Sequence, residues 1–157
     1  DPAHIAKAPS ASEALRLIAN QQSVFVSRGD DSGTHKAELA LWSSANFITE
    51  GFASWYREVG AGMGAALNTA SAMDAYILSD RASWLKFRNK GHLDILFEGD
   101  SRLFNQYAYL PVSETKGAHI QQVAAAQLEN WLTSDAAKVL INSYAIDGQA
   151  LFVFNAQ

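Results

Sequence analysis

The chain has 157 residues, a formal net charge of -4 and no cysteine, with 48% hydrophobic and 18% charged residues. That is a globular composition with enough apolar side chains for a core. It excludes disulfides, thiolate metal sites and a cysteine nucleophile, and it offers no basic field to attract nucleic acid or an anionic membrane. No apolar run approaches the ~20 residues that span a bilayer. The start at Asp1-Pro2-Ala3, without an initiator methionine and without a signal-peptide pattern, reads as a piece of a longer protein.

Ser10 and Glu13 have capping-box spacing and open a helix through Ala14, Leu15, Leu17 and Ile18 that ends at Gln21-Gln22. Ser23 to Ser27 is a short β-branched and aromatic run, the pattern of a buried strand. Polar residues 28 to 33 form a turn. A second helix runs from Thr34 to about Asn46, with Leu39, Trp42 and Asn46 near one face and Lys36 and Glu38 elsewhere. Phe52 to Glu58 reads as a helix or helical turn, broken by Gly60-Ala61-Gly62-Met63-Gly64. A helix restarts over Ala65 to Met73. Strands follow at Ala75 to Leu78, Leu93 to Phe97 and Gln106 to Val112. The longest helical pattern covers Ala118 to Leu132, with Ile120, Val123, Ala124, Leu128, Trp131 and Leu132 on one face. Ser134-Asp135 caps another helix through Tyr144, and a last apolar run covers Leu151 to Phe154. Strands alternating with helices argue for an α/β domain. The Gly and Asp residues between Gly99 and Asn105 mark the place for a boundary.

The informative order is strand, polar turn, helix. Ligands of open α/β sheets bind beyond the carboxyl ends of the strands, where a helix start presents free N–H groups and the positive end of its dipole. Ser32, Gly33 and Thr34 fall in that first turn. Gly33 admits close approach of a ligand, and the Ser32 and Thr34 hydroxyls add donors. Arg28, at the strand's end, offers a fork of donors that Asp30 or Asp31 could hold in place. This predicts an oxyanion site. The plainer alternative has Ser32 or Asp31 capping a helix and Arg28 as a surface charge. Arg28-Gly29-Asp30 also matches an adhesion motif, but three residues recur by chance. The cluster Gly60 to Gly64 fails as a dinucleotide fingerprint, since its spacing is wrong and residues 53 to 58 do not read as a buried strand. It remains either a helix start facing the same cleft or an interhelix loop.

An enzyme lacks support. There is no Gly-x-Ser-x-Gly elbow and no Walker loop. The histidines at 4, 35, 92 and 119 show no metal-ligand spacing, so no metal and no cofactor are expected. His35 is either a donor behind the anion turn or a solvated or capping histidine. Ser32 and His35 lie too close on one helix start to make a triad, so a phosphoester hydrolase is a weak rival.

Arg28-x-Asp30-x-Ser32-Gly33-Thr34 resembles the anion-binding turn of periplasmic phosphate receptors. The longer string from Phe25 to His35, with Glu38 and Leu41-Trp42, resembles more closely the tungstate-binding receptors of ABC transporters. Gly62-Met63-Gly64 with Leu67-Asn68 is similar to that family's later signatures. So are Ala75 to Arg81 with Trp84-Leu85, Tyr107 to Val112, and Trp131 to Ser134. The resemblance implies a type II periplasmic-binding-protein fold that closes on a tetrahedral oxyanion, tungstate or molybdate, and delivers it to an ABC permease. It implies Arg28, Ser32, Gly33 and Thr34 as ligands, N–H groups of Met63 and Gly64 from the second helix start, and Asp30 orienting Arg28; the residue pattern of the turn itself puts Asp31 and His35 behind them. It assigns no role to Asp80 or Arg81. The family's first lobe, with a Thr/Ser-rich turn, has no counterpart upstream of Arg28. The expected organisation is therefore an anion-binding second lobe over 1–105 and, over 106–157, a C-terminal segment that returns to the first lobe. The expected location is periplasmic or extracellular. The surface left uncovered would invite pairing or domain swapping with another copy. A ligand-sensing regulator domain, or a phosphate or sulfate receptor, is the alternative. A fully ionised dianion needs only donors, whereas monohydrogen phosphate gains from an acceptor carboxylate.

Overall fold

The computed structural model describes residues 1–156. It divides into two compact units, Asp1–Phe104 and Asn105–Gln157.

In the first unit, a single 3-10 turn precedes α1 (Ala11–Gln21), whose N-terminus is capped as its sequence dictates. The Ser10 hydroxyl accepts the Glu13 N–H at 3.2 Å, while the Glu13 carboxylate turns forward to Arg16. β1 (Phe25–Ser27) leads into α2 (Gly33–Ser44), β2 (Tyr56–Glu58) into α3 (Met63–Met73), and β3 (Tyr76–Ile77) into α4 (Arg81–Lys86). The sheet order is β2-β1-β3 and both pairings are parallel, with Phe25 opposite Tyr56 and Tyr76. Strand side chains alternate between faces, and β1 shows it. Phe25 packs with Leu15, Ile18, Leu41 and Trp42 from α1 and α2. Val26 packs on the other face with Ala66 and Ala70 of α3 and with Ala75. β1 is thus the buried centre of a three-layer α/β/α unit. Because all three strands run the same way, their carboxyl ends and the starts of α2, α3 and α4 share one edge of the sheet.

The structure corrects several expectations. Phe52 to Glu58 is not a helix: a 3-10 turn at Thr49–Gly51 is followed by β2, so a strand does precede the Gly60 to Gly64 cluster. As an edge strand β2 is covered on one side only, and Arg57 and Glu58 are exposed, so it lacks the apolar run that marks a buried strand. Leu93 to Phe97 is not a strand. It has no partner ladder and instead lays Leu93, Leu96 and Phe97 against the two apolar clusters. The buried face of α2 is Glu38, Leu41 and Trp42, continued by Ala45 just beyond its end, while Asn46 is exposed. α4, not foreseen, is opened by Asp80, whose carboxylate accepts the Ser83 N–H at 2.8 Å, and Arg81 pairs with Glu98.

The second unit holds α5 (Gln122–Leu132), α6 (Asp135–Ser143) and a two-stranded antiparallel pair, β4 (Ala145–Ile146) and β5 (Gln149–Ala150). Ser134 caps α6 through the Ala137 N–H. Gln106 to Val112 and Leu151 to Phe154 form no strands, and Ala118 to Gln121 lies outside α5. Ala137 is the one buried residue among those described in this unit. The apolar face expected on α5 is present but uncovered, with Val123, Leu128 and Trp131 all exposed. No helix among the described residues is long and apolar enough to cross a membrane.

The turn after β1 depends on Gly29. Its φ is +58°, and a Cβ there would come within 2.8 Å of the Glu58 Cβ. Gly29→Ala should therefore cost about 1–3 kcal/mol through the left-handed backbone and the displaced β2 end. Urea unfolding measures this; an unchanged midpoint would show that the two strand ends are not in close contact.

Candidate functional site

The junction after β1 is built from Arg28 to His35. Its Arg28 Nη2 lies 2.5 Å from Asp30 Oδ2, with both side chains largely enclosed. The other Asp30 oxygen accepts the Ser32 N–H at 3.3 Å. Ser32, through its hydroxyl and its N–H, together with the Arg28 guanidinium, holds the Asp30 carboxyl at about 2, against desolvation, which acts the other way. Asp31 takes a positive φ of 58°. Its N–H donates to His35 Nδ1 at 3.1 Å, and its exposed carboxylate faces Lys36 Nζ at 3.4 Å. The Ser32 hydroxyl caps α2 by accepting the His35 N–H at 3.3 Å. The cap in the plainer alternative is therefore real, and it coexists with the Arg28–Asp30 pair.

Two side-chain N–H groups in this turn lack a hydrogen-bond partner, Arg28 Nε and His35 Nε2. Because His35 Nδ1 accepts, its proton sits on Nε2. That atom is 3.8 Å from Glu58 Oε1, beyond hydrogen-bond range. Gly33 and Thr34 form the first turn of α2, and a Cβ at Gly33 would meet nothing within 4 Å, so the space before the helix is open.

The neighbouring junction supplies a second helix start. The Val59 N–H donates to the Ser27 carbonyl and the Ala61 N–H to the Arg28 carbonyl, each at 3.1 Å, which binds the β2 turn to the β1 turn. α3 then begins at Met63 behind Gly62, which has no side chain to cap it. The Met63 side chain is buried while Gly64 is exposed, again with open space where a Cβ would stand. Arg28, Ser32, Gly33 and Thr34 thus share one turn, and Met63 and Gly64 start the helix of the adjoining junction on the same sheet edge. The arrangement offers a guanidinium, two hydroxyls and the dipole ends of two helices. Among the described residues no three His, Asp or Glu side chains gather as metal ligands.

Beneath the turn lies a buried polar cluster that the sequence pattern did not single out. Glu38 is 2% exposed, and its carboxyl accepts the Tyr56 hydroxyl at 2.7 Å and Trp42 Nε1 at 3.1 Å, both on Oε1. Burial pushes its pKa up, against the pull of Tyr56, Ser27 and Trp42. Burial likewise raises that of Tyr56. The signal was present: Glu38, Leu41, Trp42 and Ala45 have i, i+3, i+4, i+7 spacing.

Comparison with known proteins places these features in a family. The PBP superfamily domain matches residues 2–136. The tungstate-binding protein TupA of Peptoclostridium acidaminophilum is 43% identical over 145 residues, covering 91% of this chain and 50% of that protein. The tungstate-binding protein TupA from Desulfovibrio alaskensis G20 superposes with a TM-score of 0.87 at 37% identity, over 100% of this chain and 64% of that one. The tungstate ABC transporter structure from Geobacter sulfurreducens gives a TM-score of 0.80 at 41% identity, over 92% of this chain and 60% of that one. The chain spans about half the length of the curated relatives it matches.

The lowered Asp30 pKa has a definite sign. Its stabilising contribution is complete above the ordinary carboxyl value of 3.8 and is lost as the pH falls through about 2. In an acid titration followed by near-UV circular dichroism, the wild type should lose this contribution between about pH 4 and pH 2. Asp30→Asn should lack that component at every pH. Superimposable profiles would remove the Arg28–Asp30–Ser32 arrangement from solution.

Proposed function

The chain belongs to the PBP superfamily, and we propose that it forms one wall of the oxyanion cleft of an extracytoplasmic solute receptor serving an ABC permease, with tungstate or molybdate as cargo. Its direct ligands are the Arg28 guanidinium, the Ser32 and Thr34 hydroxyls, and the backbone N–H groups of Gly33, Met63 and Gly64. Asp30 orients Arg28, while Asp31 and His35 brace the turn from behind. The names of the relatives support the cargo, since two of them are tungstate-binding proteins.

One observation carries the choice of ligand class: the two carboxylates within the oxyanion turn, Asp30 and Asp31, are already engaged. Asp30 is held by Arg28 and Ser32 at a pKa of about 2, and Asp31 points outward to Lys36. Glu38 is enclosed beneath Tyr56 and Trp42. A fully ionised tetrahedral dianion finds every contact satisfied by such a wall. Monohydrogen phosphate has a proton that needs an acceptor, and a buried donor left unpaired is costly.

A binding role rather than catalysis is supported by the same turn. Ser32 is tied to the His35 backbone N–H, not to the imidazole, and His35 Nδ1 is occupied by the Asp31 N–H. Neither group is arranged as a nucleophile with its base. The unit beginning at Asn105 is the segment that returns to the other lobe of the receptor, supported by the exposed Val123, Leu128, Trp131, Val139 and Leu140. In isolation that apolar surface is the part that would pair with another copy.

Calorimetry of the complete protein with tungstate, molybdate, sulfate and phosphate tests the proposal. Tungstate and molybdate should bind and phosphate should not. Arg28→Ala should weaken binding by about ten- to a hundredfold, the equivalent of one charge-assisted hydrogen bond of ~1.5–3 kcal/mol. Phosphate bound as tightly as tungstate would overturn the ligand class, and unchanged affinity in Arg28→Ala would remove that residue from the site.

A further inference from the structure

The two helix starts of the proposed wall differ in what stabilises them. Ser32 caps α2, whereas α3 opens on Gly62-Met63-Gly64, with no side chain at Gly62 to cap it. The Ala65 and Ala66 N–H groups both bond the Gly62 carbonyl, at 3.0 and 3.1 Å. That closes the backbone from Ala65 onward and leaves Met63 and Gly64 ahead of it. Glycine leaves helical geometry more readily than other residues, so whatever holds Gly64 also fixes the direction of its N–H.

We propose that Asn68 is the positioning residue of this second helix start: its side-chain amide, oriented by Asn89, holds the Gly64 carbonyl. The inference rests on the reading of Gly64 as an oxyanion ligand. Asn68 Nδ2 donates to the Gly64 carbonyl at 2.9 Å, and Asn89 Nδ2 donates to Asn68 Oδ1 at 3.0 Å. The second bond decides which way the first amide faces. A side-chain amide has one acceptor oxygen and one NH2 group. With Oδ1 taken by Asn89, the NH2 group of Asn68 is the end that meets Gly64. A reversed Asn68 amide would set its oxygen against the Gly64 carbonyl and its NH2 group against that of Asn89.

Asn89 can do this because the segment that carries it lies along α3. Gly91 has a φ of +54°, and a Cβ there would come within 2.9 Å of the Ser71 hydroxyl oxygen. His92 Nδ1 is 3.3 Å from Asp74 Oδ1, at the C-cap of α3. Leu93 packs with Val26, Ala66 and Ala70. Lys90 Nζ lies 4.4 Å from the centroid of the Trp84 ring on α4. Asn68, Ser71 and Asp74 stand three residues apart and so share one face of α3. The segment follows that face to the end of the helix. Asn68 and Asn89 are both exposed, so replacing them leaves the packing of the core as it is. The Thr69 hydroxyl makes a bond of the same kind to the Ala65 carbonyl at 3.1 Å, one residue further into the helix. It has no part in the Asn89–Asn68–Gly64 chain.

The test uses the complete protein, with tungstate as titrant in calorimetry and in amide NMR. Asn68→Ala should raise Kd about fivefold, the effect of losing one neutral hydrogen bond. Asn89→Ala should raise it about threefold, and the double variant should match Asn68→Ala, because Asn89 acts only through Asn68. Asn68→Thr should recover most of the affinity, since a threonine hydroxyl reaches the carbonyl four residues back, as it does at Thr69. Thr69→Ala should leave Kd within about 1.5-fold. In the wild type, tungstate should shift the Gly64 amide resonance. The inference alone is overturned if that resonance shifts and Asn68→Ala keeps the wild-type Kd, if Asn68→Thr binds no better than Asn68→Ala, or if Thr69→Ala weakens binding as much as Asn68→Ala does. A Gly64 resonance that stays in place while tungstate binds would overturn Gly64 as a ligand and this inference with it. A wild type that binds none of the four oxyanions would overturn the whole site reading.

Discussion

The Val59 N–H to Ser27 carbonyl and Ala61 N–H to Arg28 carbonyl bonds carry the β1–β2 ladder past the ends of the strands and into the loops. Loops that leave a sheet are ordinarily its most mobile parts. Here the two loops remain zipped together for two further bonds, with Gly29 lying against Glu58. The starts of α2 and α3 are therefore set relative to each other by backbone geometry, independently of any ligand. In the proposed site, donors held in place in this way would not need to be ordered when an anion arrives.

The layer beneath is made to keep this edge still. Trp42 meets Phe25, Phe47, Phe52, Trp55 and Tyr56 with ring centroids 5.0–6.3 Å apart, in edge-on or strongly tilted arrangements. Such pairs each add about 0.5–1.5 kcal/mol beyond the area they bury. They join α2 to β1, to β2 and to the loop between α2 and β2. The polar end of Trp42 reaches Glu38, so the apolar cluster and the buried carboxyl belong to one packed layer.

Much of this was legible in the sequence wherever the governing chemistry is local. The caps at Ser10 and Ser134 fall where they were expected, because a hydroxyl three residues ahead of an N–H is sufficient to form them. The strand-turn-helix order around Arg28 was likewise readable, since Phe25 to Ser27 is apolar enough to be central and Gly29 and Gly33 punctuate the polar stretch after it. The features that stayed hidden depended on partners. Tyr56 to Glu58 pairs only with β1 and is exposed on its far side, so it lacked the apolar signature of a strand. Leu93 to Phe97 has that signature but no neighbour to hydrogen-bond with. α4 is six residues long, too short for a periodicity to declare itself, although Asp80 and Ser83 carry the spacing of its cap. Glu38 was placed off the apolar face because it is charged, and only Tyr56, distant in sequence, shows why a carboxyl belongs there.

The two faces of the sheet differ in what separates helix from strand. On one side are large rings; on the other, α3 meets β1 through Ala66 and Ala70, both wholly enclosed against Val26. Methyl groups make this contact, where the opposite face uses large rings. The aromatic layer can absorb an exchange of one ring for another by small rotations, whereas any added carbon at Ala66 must lift the helix as a body. Met63 and Gly64 lie within the turn that precedes Ala66, so a shift of the helix at that alanine would carry both with it.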